Sequence, residues 1–336
     1  MKAIQFLGMT AFMAAMLTGC SNDSDLAHSN FPDDNIIRVT AGVNGAVTRA
    51  ETETMGTEMN NDFSLTVVNK NEGTNKYTYI NKIFQKTIAG TEWNCDEILL
   101  WQNAETPVAV AALAPVTNDR TFSGILNNQN QFQTMEYSIF ENQNPQNPEN
   151  DLLYYYESNL VPKDALNSDG KLNIQFNHAF SMIDIIVTLG TEYSKKEENP
   201  INEVIVGGSK KWATLDITNS KGKGVAYASE GTNPETDIIT TPGEFTMATA
   251  DQPNSTAEFS CILIPQKIEA NKFKVTLMTS SKTYIWTSPE DITLETGRRY
   301  TLKLKMGKDV VTAQNGNISA GSWTEGTDSG STLGTK

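Results

Sequence analysis

The clearest strand signal in the sequence is Tyr300-Thr301-Leu302-Lys303-Leu304-Lys305-Met306, in which apolar and polar side chains alternate almost throughout. Successive side chains of a β-strand point to opposite faces, so this pattern predicts a strand with one buried and one solvated face. Residues 172–180 repeat the alternation, and residues 97–101 and 108–114 are apolar runs typical of strands buried on both faces. Turn-rich segments separate these runs, and helical periodicity is scarce. The chain is therefore predicted to be all-β, built as sandwiches or barrels.

The alternation of apolar and polar residues changes phase near Ser181. It lies on even-numbered residues from Leu172 to Phe180 and on odd-numbered residues from Ile183 to Leu189. One extra residue reverses which side of a strand points inward, so the change predicts a bulge. Residues 164–170 are turn-rich and precede this strand. We therefore expect an N-terminal domain over residues 36–168, a C-terminal domain over residues 169–326, and a polar tail over residues 327–336.

The charge balance excludes several functional classes. The 336 residues include 26 Lys and Arg against 40 Asp and Glu, which gives a net charge of −14. This balance argues against nucleic-acid binding, where phosphate charge must be neutralised, and against a cationic membrane-surface patch. The chain has two His and three Cys, which is little material for histidine-based catalysis or a Cys/His metal site.

No residue pattern predicts catalysis, a cofactor or a metal. His28 lies near the N-terminus, and His178 alternates with Phe176 and Phe180 on an inward face, which is typical of a hydrogen-bonded core histidine. We therefore predict a non-enzymatic protein without catalytic, cofactor-binding or metal-binding residues. The three tyrosines at 154–156 and the five Trp residues could instead stack on sugar rings, although alternation would place Tyr155 on the opposite face from its neighbours.

The N-terminus has the pattern of a bacterial lipoprotein signal. Met1-Lys2 precedes a mostly apolar run that ends in Leu17-Thr18-Gly19-Cys20, which resembles a lipobox. We expect residues 1–19 to be removed by cleavage between Gly19 and Cys20, and Cys20 to carry lipid. Two or three acyl chains on one residue are enough for stable anchoring. Residues 20–35 would form the tether.

The two remaining cysteines leave alternatives open. Cys95 lies in a predicted loop and Cys261 in a predicted buried strand. An oxidising compartment outside the cytoplasm permits a disulfide, which would then cross between the two expected domains. Two unpaired buried thiols are the other interpretation.

The first predicted strand is followed by a protease-sensitive pattern. Its apolar residues, which share one face, are Ile37, Val39, Ala41 and Val43. Arg49 then stands in a polar segment, followed by Ala50. A single arginine just after a strand is a natural site for an Arg-specific protease, although an ordinary surface arginine would look the same.

Together these features resemble the fimbrillin family of the Bacteroidales, which includes type V pilin subunits. The resemblance depends on the lipobox, on Thr48-Arg49-Ala50, and on three further stretches at residues 172–183, 294–302 and 318–326. It implies two transthyretin-like β-sandwich domains in tandem. It also implies a lipoprotein precursor that is cut between Arg49 and Ala50, which would remove both the lipid and the first strand.

The resemblance further implies assembly by strand exchange into a surface fimbrium that mediates adhesion. An incoming strand from another fimbrial subunit would fill the vacated slot by β-augmentation. The donor is expected in the C-terminal part, whose apolar residues are Val310, Val311, Ile318 and Trp323. Before maturation the lipid would hold the chain at the outer membrane. The alternatives are a lipid-anchored glycan-binding protein and an anchor or tip subunit that is never cleaved; no adhesion ligand is indicated.

Overall fold

The computed structural model describes residues 30–44, 59–70, 76–87, 92–117, 122–143, 150–193, 198–231, 233–314, 318–323 and 331–332. Nearly all regular structure in these ranges is β, which confirms the all-β class. The exceptions are helix α1 (Pro162–Ala165) and a 3-10 turn at Thr191–Tyr193. Within the described ranges there is no helix of the length and apolarity needed to span a membrane. The tandem transthyretin-like arrangement stays a prediction.

The strands of the first half are β1 (Val39–Val43), β2 (Phe63–Asn69), β3 (Tyr79–Lys86), β4 (Trp93–Cys95), β5 (Val108–Ala114), β6 (Met135–Ser138), β7 (Leu153–Leu160) and β8 (Leu172–His178). Those that follow are β9 (Ser181–Leu189), β10 (Ile201–Lys210), β11 (Trp212–Leu215), β12 (Ala226–Ala228), β13 (Glu235–Ile239), β14 (Thr241–Thr246), β15 (Thr256–Leu263) and β16 (Lys267–Ile268). The last are β17 (Lys274–Thr279), β18 (Thr283–Thr287), β19 (Ile292–Thr293), β20 (Arg298–Met306), β21 (Val311–Ala313), β22 (Ser319–Ser322) and β23 (Ser331–Thr332).

The first sheet has the order β1-β8-β7-β5-β2-β3-β4. Its pairs are antiparallel except at one edge, where β1 runs parallel to β8. Residues 35–37, just before β1, hydrogen-bond to residues 99–101, which follow β4 at the other edge: Ile37 N donates to Leu99 O at 2.8 Å and Trp101 N donates to Asn35 O at 2.8 Å. The two edges are thereby joined around one hydrophobic core.

The second half forms several smaller layers. Its largest sheet has the order β14-β15-β9-β20-β22-β23, with β21 also paired to β20. The predicted strand at residues 300–306 is the core of β20, and it runs parallel to β9. A four-stranded sheet (β13-β10-β17-β18) and a three-stranded one (β12-β11-β6) complete this half, together with the short pair β16-β19. Because β6 comes from the first half of the chain, the two halves share a sheet.

Strand β5 separates two hydrophobic cores, as expected of an apolar run buried on both faces. Val108, Val110 and Ala112 face the first core, and Ala111 and Leu113 face the second. The other predicted apolar run, residues 97–101, does not form a strand. It has an isolated bridge to Ile36, and its Ile98 side chain is 74% exposed.

The change of apolar phase near Ser181 has a different cause from the one predicted. Strand β8 belongs to the first sheet and β9 to the second, and Ala179 and Phe180 form the bend between them. The predicted bulge is wrong, because the chain leaves one sheet and enters another instead of continuing in one strand. The domain boundary expected at residues 168/169 stays a prediction; it lies before β8.

Candidate functional site

Strand β1 is inserted at the edge of the first sheet with its apolar side chains inward. Ile37 and Val39 are each 4% exposed and Val43 is 8% exposed, while Ala41 is half-buried. All four pack in the first core. The pairing with β8 has no irregularity, from Val39 opposite Leu172 to Val43 opposite Phe176. The prediction that the four residues share one face is confirmed, and the structure shows that this face points inward; the displacement of the strand stays a prediction.

The surface beneath β1 is apolar and aromatic. Leu172, Ile174 and Phe176 of β8 are at most 2% exposed. Phe176 meets Phe63 edge-on, with ring centroids 5.4 Å apart, and Phe63 in turn meets Trp93 at 4.8 Å. We use the term β1 groove for the surface that β1 covers, which belongs to β8 and to the first core. The buried side chains of Ile37, Val39 and Val43 each contribute about 1.5–3 kcal/mol by leaving water.

Strand β1 is paired along one side. It is the last strand of its sheet, and beyond its far side lies a cleft of about 220 Å³ lined by residues 36–39 and by residues of the β4 region, including Trp93 and Leu99. From Val39 to Val43 the backbone of β1 pairs with β8 alone, and residues 35–37 just before it also bond to residues 99–101. Exchange of β1 would therefore break one strand pairing and these few bonds, without opening the sheet on both sides.

The outer face of β1 is polar. Thr40 Oγ1 donates to Asn173 Oδ1 at 3.1 Å, and Asn44 Nδ2 donates to Asn177 Oδ1 at 3.1 Å. Just before the strand, Arg38 donates two hydrogen bonds to the carboxylate of Asp34, at 2.9 and 2.5 Å. The hydrogen bonds from Arg38 lower the pKa of Asp34 to about 2. These exposed contacts fix the register of β1 more than they add stability.

The expected donor segment, residues 310–323, is called the C-terminal segment below, and its described parts, residues 310–314 and 318–323, are folded back on their own chain. It forms two short strands along the outer side of β20: β21 opposite Leu304–Met306 and β22 opposite Arg298–Thr301. Of its expected apolar contacts, Val311 and Ile318 are each 8% exposed and Trp323 is 3% exposed, whereas Val310 is 59% exposed. Three of the four are thus buried within the same chain.

Trp323 anchors the end of this segment at the junction of the two large sheets. Its ring lies flat on His178, the last residue of β8, with centroids 3.8 Å apart and an interplanar angle of 3°. His178 Nδ1 lies 3.0 Å from both carboxylate oxygens of Asp151. Trp323 N donates to Gly297 O at 3.2 Å. The prediction of a hydrogen-bonded core histidine at position 178 is confirmed.

Several other predicted residues do not take part in this site. Cys95 is half-buried and Cys261 is buried, and both thiols are free; burial raises the pKa of Cys261. Tyr155 packs against the first core, and Tyr154 and Tyr156 pack against the second, as alternation predicted. These tyrosines therefore serve packing.

Other expected residues lie outside the described ranges: Gly19, Cys20, His28, Arg49 and Ala50. In the part of the chain that the structure describes, no group of three or more Asp, Glu, His or Cys side chains could hold a metal.

Sequence reasoning missed two features of the site. One is the parallel pairing of β1 with β8, since alternation marks a strand but carries no direction or partner. The other is the stack of Trp323 on His178, which joins residues 145 positions apart. Each residue was singled out separately, and nothing in the pattern connects them.

The chain was compared with known proteins. The sequence model of the fimbrillin-like family matches residues 48–323. Among solved structures, a proposed cell adhesion protein from Bacteroides ovatus has a TM-score of 0.60 at 17% identity, and covers 88% of this chain and 100% of its own. A second proposed cell adhesion protein, from Bacteroides uniformis, has a TM-score of 0.54 at 15% identity, with coverages of 86% and 98%.

At such low identities the two structures establish the fold alone. No curated protein matches the chain. The family match extends over most of the sequence and includes every strand from β2 to β22. The chain therefore belongs to the fimbrillin-like family.

Proposed function

We propose that this protein is a structural subunit of a cell-surface fimbrium of the type V kind, in which β1 is a removable placeholder. The precursor is exported as a lipoprotein acylated on Cys20 and held at the outer membrane. An Arg-specific protease then cuts between Arg49 and Ala50. The mature subunit polymerises with other fimbrial subunits by strand exchange, performs no catalysis, and mediates adhesion.

The main support for this proposal is the position of β1. It is a regular edge strand, its inward side chains are buried, and it is paired with β8 alone among the strands of its sheet. The family model matches residues 48–323, so the match begins after β1 in the chain. Arg49 follows β1 and precedes β2 in the sequence, so a cut there separates β1 from the rest of the sheet.

Cleavage alone would not empty the groove, because the contacts of β1 remain. Cleavage instead changes the rebinding of β1. A tethered strand that detaches returns at once, while a free peptide can diffuse away. The vacated groove then exposes the backbone of β8 and an apolar floor, which are a template for another strand. A head-to-tail contact of this kind repeats without closing and produces a filament. The proposed donor is the C-terminal segment of a neighbouring subunit.

The proposal is tested on the full precursor incubated with an Arg-specific protease. We expect a new N-terminus at Ala50, loss of the fragment that ends at Arg49, and ladders that resist SDS on a gel. The matched control is Arg49→Gln, which removes the cleavage site and leaves β1 unchanged. It should stay a monomer under the same conditions.

The outcomes separate the alternatives. Cleavage at Arg49 that leaves a stable monomer indicates a tip or accessory subunit. A wild-type chain that remains uncut while unfolded substrate is digested contradicts the placeholder role. In that case, retention on a polysaccharide column would instead support a glycan-binding protein.

A further inference from the structure

The three-stranded sheet β12-β11-β6 has one face toward the second core and one face toward solvent. Tyr137, Ala213, Leu215 and Ala226 point inward and are buried. Successive side chains of a strand alternate, so the residues between them point outward. These outward residues, which we call the aromatic face, are Glu136, Ser138 and Phe140 from β6 and its continuation, Trp212 and Thr214 from β11, and Tyr227 and Ser229 from β12 and its continuation.

Three aromatic side chains form a diagonal row across the aromatic face. In the register of the sheet, Trp212 lies opposite Ser138, and Thr214 lies opposite Tyr227. The ladder continues past β6, since residue 139 donates its N–H to the carbonyl of residue 211 at 3.0 Å, which places Phe140 one step beyond Trp212. Phe140, Trp212 and Tyr227 are therefore successive diagonal neighbours on three strands. Such neighbours are about 7–8 Å apart, so the row is about 15 Å long.

The row is exposed to water. Trp212 is 42% exposed, which makes it the most exposed of the five tryptophans, and Phe140 is 37% exposed. Tyr227 is half-buried, and Lys223 Nζ lies 5.2 Å from the centroid of its ring. A single exposed apolar side chain is ordinary on a protein surface, but neighbouring exposed aromatic rings on one flat face indicate a binding surface.

The backbone that presents Trp212 is held firmly in spite of this exposure. The side chain of Asn233, which is 4% exposed, accepts a hydrogen bond from Trp212 N at 3.3 Å and donates one to Trp212 O at 2.7 Å. Ser229 N also donates to Trp212 O, at 3.0 Å. Because the ring is presented from a fixed backbone, less conformational entropy is lost when a ligand binds to it.

A carboxylate lies beside the aromatic row with acceptor capacity left over. Glu136 accepts hydrogen bonds from Thr214 Oγ1, at 3.0 Å, and from Ser229 Oγ. An ionised carboxylate has about four acceptor sites, so about two remain for hydroxyl groups of a ligand. Hydrogen bonds to an ionised acceptor are stronger than those between neutral groups.

The charges on and around the aromatic face disfavour an anionic ligand. Glu136 is the one charged residue among the seven, which gives the face a net charge of −1. At its margins Lys223 is paired with Glu230 at 2.7 Å, and Lys211 is paired with Glu141. The face is therefore complementary to a neutral ligand that has both an apolar surface and hydroxyl groups.

We propose that the aromatic face binds a neutral saccharide chain. The C–H surface of a pyranose ring is apolar and packs on the rings of Trp212 and Phe140, where dispersion and the hydrophobic effect favour the contact. The hydroxyl groups at the edge of the sugar donate to Glu136. The inference rests on the proposed function, because it supplies a ligand class for the adhesion proposed there.

Assembly by strand exchange would leave this site available. The seven residues of the aromatic face are separate from the β1 groove and from the C-terminal segment. A fimbrium would therefore repeat the site once per subunit. Weak individual sites on one filament act together on a polymeric ligand, because each binding event raises the effective concentration for the next.

The test uses the uncut full-length chain, so it does not depend on cleavage. Its migration is measured in native gels that contain one of four soluble polysaccharides. Three are neutral (a β-glucan, a galactomannan and amylose), and the fourth, polygalacturonate, is anionic. We expect at least one neutral polysaccharide to retard the chain and polygalacturonate to leave its migration unchanged. The dependence on polysaccharide concentration gives the affinity.

Variants assign the binding to the aromatic face. Trp212→Ala should weaken it by at least about tenfold, as expected for a tryptophan at the centre of a contact. Phe140→Ala is the second variant if Trp212→Ala fails to fold, and Trp212→Phe, which keeps a ring, should lose less. Glu136→Gln should weaken binding more mildly than Trp212→Ala. Ile285→Ala is the matched control, because it removes a 61% exposed apolar side chain from β18, in another sheet.

Four results would overturn the saccharide site. They are the absence of retardation by all three neutral polysaccharides, stronger retardation by polygalacturonate, retardation that Trp212→Ala and Phe140→Ala leave unchanged, and self-association that Trp212→Ala abolishes, which would assign the face to a contact between copies of the chain. Each leaves the placeholder role of β1 intact, because cleavage and ladder formation are scored separately. Failure of wild-type cleavage removes the proposed function without altering the binding measured on the uncut chain.

Discussion

Strand β1 and the C-terminal segment both lie towards one side of a large sheet, but they are attached in different ways. Strand β1 is one regular edge strand, and together with Ile37 just before it the inward side chains recur at every second residue up to Val43. The C-terminal segment is divided into β21 and β22, which lie beside different parts of β20. Its most deeply buried side chain is Trp323, at the far end.

The two attachments differ in the kind of strand that each can bind. A groove that takes a side chain at every second residue accepts any strand with that period, so it suits exchange between chains. The C-terminal segment is instead held by the short pairings of β21 and β22 with β20 and, at its end, by the stack of Trp323 on His178. Under the proposed function, the regular groove binds the replaceable strand, and the segment with several short contacts supplies the donor.

The largest expected effect comes from removing the groove floor. Phe176 is fully buried and touches both β1 and the aromatic group around Phe63. Phe176→Ala should lower the free energy of unfolding by about 3–5 kcal/mol, because it leaves a cavity. Denaturant unfolding of the precursor measures it. Ile285→Ala, at a side chain that is 61% exposed, should change it by less than about 0.5 kcal/mol. A small effect of Phe176→Ala would show that the floor is not part of the folding core.

The stability contributed by the two regions can be compared by truncating one valine in each. Val39 of β1 is 4% exposed, and Val310 of the C-terminal segment is 59% exposed. Val39→Ala should cost about 1–2 kcal/mol of unfolding free energy, since it removes buried methyl groups. Val310→Ala should cost less than about 0.5 kcal/mol. Equal costs in the same denaturant experiment would mean that the two regions are attached alike.

A peptide competition sharpens the comparison further. Synthetic peptides of residues 34–44 and of residues 310–323 compete for the cleaved subunit after its β1 has been removed. We expect the first to bind at least about tenfold more tightly, or about 1.4 kcal/mol, because its apolar residues match the alternation of the groove. A copy of residues 34–44 with one Ser inserted after Val39 shifts the following residues to the other face and should bind poorly. Equal binding of all three peptides would contradict recognition by alternation.

The local structure of β1 was predictable from sequence because a strand with one buried face has an apolar side chain at every second residue. Ile37, Val39 and Val43 follow that rule, and so does the inward face of β8. Residues 97–101 show the limit of this reasoning. After Glu97 they are apolar, like β5, yet they form an irregular segment, since an apolar run does not specify its hydrogen-bond partners.

The long-range arrangement was not predictable. Even alternation on β8 followed by odd alternation on β9 fits a bulge and a change of sheet equally well, because each shifts the phase by one residue. The pairing of β1 with β8 joins Val39 to Leu172, and its parallel direction has no local signal. The contact of Trp323 with His178 likewise depends on where the two sheets meet, which periodicity does not encode.

The smallest expected effect concerns the ion pair that precedes β1. Arg38 lowers the pKa of Asp34 to about 2, from an ordinary value of 3.8, so the pair favours the docked strand while Asp34 is ionised. A carboxyl with a lowered pKa in the folded state stabilises it above the ordinary pKa, and this contribution is lost as the pH falls through about 2. Asp34→Asn should therefore speed the release of β1 from the cleaved subunit slightly at neutral pH. The difference from wild type should shrink between about pH 4 and pH 2, and at high salt, because the pair is exposed. Asp33→Asn controls for the change in net charge, and a difference between wild type and Asp34→Asn that grows on acidification would contradict the role of the pair.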